Sequence, residues 1–234
     1  MSISKNIAVV QERIAAAARR ARRRPEEISL MGVTKTHPPE SIRGGYEAGL
    51  RLFGENRVQE FTAKAGALAD LVGTDWHMIG HLQTNKAAKA VEFFNAVDSV
   101  DSVKLAEKLD SAARQLGKKL TALIEINVGG ETAKSGVAPD SRELEDLLLA
   151  VLRFEALEFR GLMTVPPFTD NPEDARPYFR KLRELRATIA RRGLPGVGMD
   201  VLSMGMSHDF EVAIEEGSTC VRVGTALFGE RARA

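Results

Sequence analysis

The sequence predicts an α/β fold, a single (β/α)8 TIM barrel with an additional helix at its N-terminus. Two observations carry that expectation. From residue 28 onward, apolar runs at 28–35, 51–55, 75–81, 96–100, 121–128, 158–165, 200–206 and 220–227 alternate with amphipathic segments such as 102–116 and 172–192. Within the runs, Ile124, Ile126 and Val128, and again Val221 and Val223, read as strands buried beneath covering helices. Parallel strands need helical crossovers, and eight strand–helix units close into a barrel. A doubly wound open sheet is the rival. It would favour Gly-x-Gly-x-x-Gly after the first strand, and no such fingerprint follows residue 35.

The elements follow in order. Ile3, Ile7, Val10 and Ile14 recur at helical spacing in a segment rich in Ala, Glu and Arg, which predicts an amphipathic opening helix of about 20 residues. Arg22, Arg23 and Arg24 before Pro25 read as a last turn whose cations complement the helix dipole, with proline as the stop. A patch for nucleic acid or an acidic partner is the weaker reading, because the run is short and has no aromatics. The chain is taken as one unit over 1–234, with the helix at 1–24 and the barrel at 28–230.

Composition narrows the function classes. The 33 Lys plus Arg stand against 32 Asp plus Glu, which argues against a chain built to coat nucleic acid or an anionic membrane. Cys220 is the only cysteine, so no internal disulfide forms and a reducing compartment is expected. Its apolar neighbours mark it as a packed, inert thiol. No apolar stretch approaches the roughly 20 residues needed to span a bilayer, and the first residues lack a signal-peptide core. A cytoplasmic location is expected.

Barrel chemistry gathers where strands end. Those positions are Lys35, Asn56, His81, Asn127, Met163, the segment Ser203-Met204-Gly205-Met206-Ser207, and Arg222 with Gly224 and Thr225. Lys35 closes an apolar run just before two prolines, and a partly desolvated lysine becomes a nucleophile toward carbonyls. The ends of strands seven and eight are the usual barrel location for a phosphate, where small residues and hydroxyls admit its oxygens. A phosphate cradle opposite a reactive lysine points to an aldehyde-bearing phosphate, and pyridoxal 5′-phosphate meets both requirements.

The runs Gly-Val-Thr-Lys-Thr-His, Phe-Gly-Glu-Asn-Arg-Val-Gln-Glu at 53–60 and Trp-His-Met-Ile-Gly-His-Leu-Gln-Thr-Asn-Lys at 76–86 resemble those of the pyridoxal phosphate homeostasis proteins, an alanine-racemase-like group of fold-type III. Lys134-Ser135-Gly136, Gly161-Leu162-Met163, Leu202 through Asp209 and Arg222-Val223-Gly224-Thr225 extend the likeness over nearly the whole chain. The resemblance implies that Lys35 holds the cofactor as a Schiff base. It also implies that Ser203 to Ser207, Gly224 and Thr225 hold the phosphate, that Asn56 and His81 line the ring, and that Met206 packs near it. Arg222 would face the pyridine nitrogen and keep it unprotonated, since a guanidinium accepts no proton, which makes the ring a poorer electron sink.

The remaining candidates have plainer readings. His77 and His81, about 13 Å apart on an extended strand, are too distant to share a metal. His77 reads as packed or solvated. Lys134 is either a solvated loop lysine or a second amine near the cofactor, and Asp209 reads as a helix N-cap. Two functions compete: a racemase or lyase, and a module that stores, buffers or delivers the cofactor. Racemisation needs a base on each face of the ring. In the racemases the second base is a tyrosine brought by another domain; here Tyr46 and Tyr178 fall in expected outer helices and no such domain is seen. The expectation is a cofactor-binding protein, not an enzyme, whose partners are pyridoxal phosphate and, transiently, cofactor-free enzymes.

Overall fold

Eight strands pair in chain order, each parallel to the next, and the eighth closes on the first. The computed structural model describes residues 2–131 and 134–229. The strands are β1 (Ser29–Val33), β2 (Leu52–Glu55), β3 (Asp75–Met78), β4 (Ala96–Val100), β5 (Leu120–Glu125), β6 (Leu157–Met163), β7 (Val197–Met206) and β8 (Cys220–Val223). Helix α1 (Ile3–Arg20) precedes them, and each strand leads into a helix: α2 (Pro39–Glu47), α3 (Val58–Ala65), α4 (Ala87–Phe93), α5 (Val103–Gln115), α6 (Arg142–Ala150), α7 (Arg176–Arg191), α8 (Phe210–Glu215) and α9 (Thr225–Phe228). The predicted closed barrel and opening helix are present. Residue 1 and residues from 230 onward, which bound the single unit read from sequence, lie outside the described residues.

Burial explains the architecture. The layer between strands and helices is filled by large apolar side chains, among them Phe53, Phe94, Phe159, Phe179 and Phe210. Trp76 stacks on Phe53 with ring centroids 4.9 Å apart and meets Phe61 at 4.5 Å, joining β2 and β3 to α3. The opening helix buries Ile7, Val10, Ile14, Ala17 and Ala18, the stripe its spacing predicted. Its basic tail behaves differently from the expectation. Arg23 donates to the carbonyls of Ile214 (3.0 Å) and Ser218 (2.7 Å), so it satisfies the C-terminal end of α8 rather than its own helix.

Several strands are shorter than their apolar runs. The run 75–81 stops being strand at Met78, 121–128 at Glu125 and 220–227 at Val223. Leu82, Val128 and Leu227 are nevertheless buried, because loops and short helices at this end pack back onto the core. Hydropathy therefore continues past the last ladder bond. No helix among the described residues is long and apolar enough to cross a membrane.

Candidate functional site

Lys35 does not end its strand. β1 closes at Val33, Thr34 still donates its N–H to the Gly54 carbonyl (3.0 Å), and the chain then turns as His37 N–H reaches back to the Thr34 carbonyl (3.1 Å). Thr36 adopts φ +64°, left-handed backbone that a β-branched residue rarely takes and that costs on the order of 1–3 kcal/mol. The half-buried Lys35 is thus presented from a strained corner. Three residues around it escaped the sequence reading. Glu55 ends β2 fully buried, accepts from the Thr34 hydroxyl, and pairs with the buried Lys64 ammonium at 2.8 Å. Glu60 accepts the Thr36 N–H. Burial raises the Glu55 carboxyl above its usual range, against the pull of Lys64 and the Thr34 hydroxyl.

β8 is hydrogen-bonded to β1, with Val223 level with Gly32. Gly224 therefore leaves the barrel beside Lys35, not opposite it as the sequence suggested. The backbone N–H groups of Gly224 (3.2 Å) and Ala226 (3.4 Å) both point at Ser207 Oγ, which ties the end of β7 to the start of α9. Ahead of Ser207, Gly205 has φ +95° and a Cβ there would meet Ala213 Cβ at 2.6 Å, so only glycine fits this close turn against α8. Asp209 stands at the N-cap position of α8, but its carboxylate accepts the Met206 N–H (2.6 Å) instead of capping its own helix. The tight turn brings that N–H within reach first. Burial raises the Asp209 carboxyl.

The segment Ser203–Ser207, expected to act together on a phosphate, divides by depth. Ser203 and Met204 are buried, while Met206 and Ser207 are only partly so. Ser203 Oγ accepts from Arg222 Nη1 at 2.8 Å, and Arg222 Nη2 donates to the Thr164 carbonyl at 2.7 Å. The buried guanidinium thus rests on neutral acceptors and forms no direct carboxylate pair among the described residues. Burial lowers its pKa, with the charges of Asp98, Asp209 and Glu125 among those opposing. Met163, fully buried at the end of β6, stands level with Ser203.

The other candidates separate. Asn56 is half-buried at the end of β2, and Gly80 lies against its backbone so closely that a Cβ would come within 2.4 Å of the Asn56 carbonyl oxygen. His81 falls in the loop beyond β3, mostly exposed, with Nδ1 3.4 Å from Asp101. Thr225 is exposed on the first turn of α9. Asn127 is committed to its loop, donating to the Glu131 carbonyl (2.9 Å) and accepting from Gly130 N–H (3.0 Å). Lys134 pairs with Glu131 and donates to the Pro166 carbonyl (3.3 Å). Buried Glu125 accepts from Ser135 Oγ (3.0 Å); burial raises its carboxyl, and the charges of Asp101, Arg222 and His81 all act on it. His77 belongs to the far end of the barrel, clasped by Asp98 and Asp75. Burial of Cys220 pushes its thiol up to about 12, as suits an inert packed residue. No group of three or more side chains able to hold a metal occurs among the described residues.

The family described as alanine racemase, N-terminal domain, matches residues 7–232. The pyridoxal phosphate homeostasis proteins of Aquifex aeolicus and Pseudomonas aeruginosa are 48% and 44% identical to this chain over 231 residues each. Those matches cover 99% and 98% of this chain and 99% and 96% of theirs. The solved structure of PipY of Synechococcus elongatus, with PLP bound, is 36% identical with a TM-score of 0.84, over 97% of this chain and 100% of that one. An alanine racemase from Streptomyces coelicolor shares the fold at 22% identity and a TM-score of 0.71, over 94% of this chain and 57% of that one.

Proposed function

The chain belongs to the pyridoxal phosphate homeostasis protein family, and from that premise we propose that it binds pyridoxal 5′-phosphate through Lys35 and stores, buffers or delivers it without robust turnover. One observation supports this most. The Lys35 corner and the Ser207–Gly224–Ala226 donor cluster leave neighbouring strands at the same end of the barrel. When bound, the cofactor supplies an aldehyde for the lysine amine and a phosphate for the donors.

The residues fit such a ligand. Gly224 and Ala226 offer backbone N–H groups now spent on one hydroxyl, and the Thr225 side chain adds another polar group beside them. On this reading Met206 and Asn56 border the ligand, His81 stands at its outer rim, and Met163, Ser203 and Met204 underlie it. Arg222 presents a permanent cation that donates and never accepts, which leaves a ring nitrogen facing it unprotonated and the ring a weak electron sink. Tyr46 on α2 donates its hydroxyl to the Val72 carbonyl (3.0 Å) and Tyr178 lies on α7, so neither is placed to act as a second base. The barrel at 28–230 with its opening helix is the cofactor-binding unit, working in the cytoplasm and passing cofactor to enzymes that lack it.

An absorbance spectrum before and after borohydride, followed by mass spectrometry of the reduced peptide, tests the reading. A visible band that reduction abolishes, with the adduct on Lys35, is expected; an adduct on Lys134 would move the attachment point. Colourless protein that stays unmodified when saturated with cofactor would refute it. Delivery fails if loaded protein restores a cofactor-free enzyme no faster than free cofactor at equal concentration.

A further inference from the structure

Beneath the Lys35 corner lies an acid–base cluster to which cofactor binding assigns no role. Lys64, with 8% of its side chain exposed, reaches inward from α3 to Glu55 Oε1 (2.8 Å) and to the carbonyls of Thr34 (2.9 Å) and His37 (3.4 Å), with Glu60 Oε1 also at 3.4 Å. Thr34 and His37 flank the Lys35–Thr36 dipeptide, so a single ammonium grips the corner on both sides. Glu60 completes the grip by accepting the Thr36 N–H, and the Thr34 hydroxyl donates to the same Glu55 oxygen that Lys64 holds. Glu55 Oε2 is buried without a hydrogen-bond partner.

A buried charge is retained only when its partners outweigh the loss of water. Here two of those partners are main-chain carbonyls on either side of a left-handed threonine, a conformation that persists only when its surroundings over-determine it. Much of the ion pair's attraction is therefore directed at backbone shape. We propose that Lys64 is a positioning residue for Lys35. By holding the Thr34 and His37 carbonyls, with Glu60 on the Thr36 amide, it fixes the direction in which the Lys35 amine leaves the barrel wall. The inference rests on the reading that Lys35 carries the cofactor.

Three variants and three readouts test it. The variants are Lys64→Met, Glu60→Ala and Glu60→Gln, the last keeping an oxygen for the Thr36 amide. The readouts are hydrogen exchange of the Thr36 and His37 amides without cofactor, the dissociation constant for pyridoxal phosphate, and visible circular dichroism of loaded protein, which reports how the bound ring is oriented. Lys64→Met is expected to speed exchange at both amides, weaken binding about tenfold, the lower end of what orienting partners contribute to a liganding side chain, and alter the dichroic band. Glu60→Ala should do the same more weakly, and Glu60→Gln should behave as wild type. Should Lys64→Met fail to fold, the Glu60 pair decides alone. Unchanged amide exchange in the folded variants overturns the clamp itself. Faster exchange with unaltered binding and dichroism overturns only the positioning role, whereas a wild-type protein with no adduct at Lys35 overturns the parent reading as well.

Discussion

Two ion pairs, each with a buried carboxylate, stand at opposite ends of the barrel and use similar chemistry for different ends. At the bottom, His77 Nδ1 meets Asp98 Oδ1 at 2.9 Å and its Nε2 lies 3.3 Å from Asp75. All three residues belong to strands β3 and β4, so side chain binds side chain. At the mouth, Lys64 pairs with Glu55, has Glu60 at 3.4 Å, and also donates to the carbonyls around a strained turn. Each pair leaves one carboxylate oxygen, Asp98 Oδ2 or Glu55 Oε2, buried without a hydrogen-bond partner. The bottom pair links β3 to β4. The mouth pair holds a corner from which a lysine projects, so the two should respond oppositely when stability and ligand binding are measured together.

The sharpest break of that comparison is Lys35→Ala. It should abolish the borohydride-trapped adduct entirely while leaving the barrel folded, with a cooperative urea transition, since the side chain lies outside the core. Next comes the reverse experiment, His77→Ala, which strands Asp98 as an uncompensated buried carboxylate. Removing one partner of a buried pair costs roughly 3–5 kcal/mol, and urea unfolding should register a loss of that order. The adduct at Lys35 should still form in whatever fraction remains folded. Loss of the adduct in folded His77→Ala would show that the two ends are coupled and the division of labour false.

The bottom pair also carries a pH signature. Burial alone would lower the His77 pKa, but the Asp98 charge, the hydrogen bonds that the ring donates to Asp75 and Asp98, and the Asp75 charge carry it up from 6.5 to about 10. A group whose folded pKa is raised contributes stability fully below its unfolded value and loses it as pH climbs through the folded one. The contribution should therefore be complete below about 6.5, decline through the alkaline range and vanish above about 10. Urea midpoints across that window should fall in wild type by more than in His77→Gln, where nothing titrates at this position. Parallel curves would remove the charged imidazole from the account.

How far the sequence reached follows the same division. The barrel was legible because buried parallel strands leave long-period hydropathy that helices interrupt, and the opening helix because its stripe at Ile7, Val10 and Ile14 is strict. Lys35 and the segments around Ser207 and Gly224 drew attention because a lysine at the end of an apolar run and small residues at the ends of the last two strands are unusual choices. Glu55, Glu60 and Lys64 were not. Glu60 and Lys64 show the i, i+4 charge spacing of an ordinary solvated helix face, and nothing local says that Lys64 turns inward to meet β1 and β2. His77 was similarly ambiguous, because its two carboxylate partners come from its own strand and the next. Nor does spacing reveal that β8 lies beside β1; only closure of the sheet puts the Gly224 and Ala226 amides near the lysine.

The smallest expected effect tests the mouth alone. At φ +64°, Thr36 holds a conformation that glycine takes at little cost, so Thr36→Gly should recover strain on the order of 1 kcal/mol or more. Glycine also widens the unfolded ensemble, a penalty of about 0.5–1 kcal/mol that largely cancels the gain. The urea midpoint should therefore barely move. Binding should nevertheless weaken, because a corner that no longer resists deformation depends wholly on Lys64 and Glu60 for its shape. If Thr36→Gly instead unfolds the protein as readily as His77→Ala, the threonine side chain supports the barrel itself. The mouth would then be built as the bottom is, for closure and not for presentation.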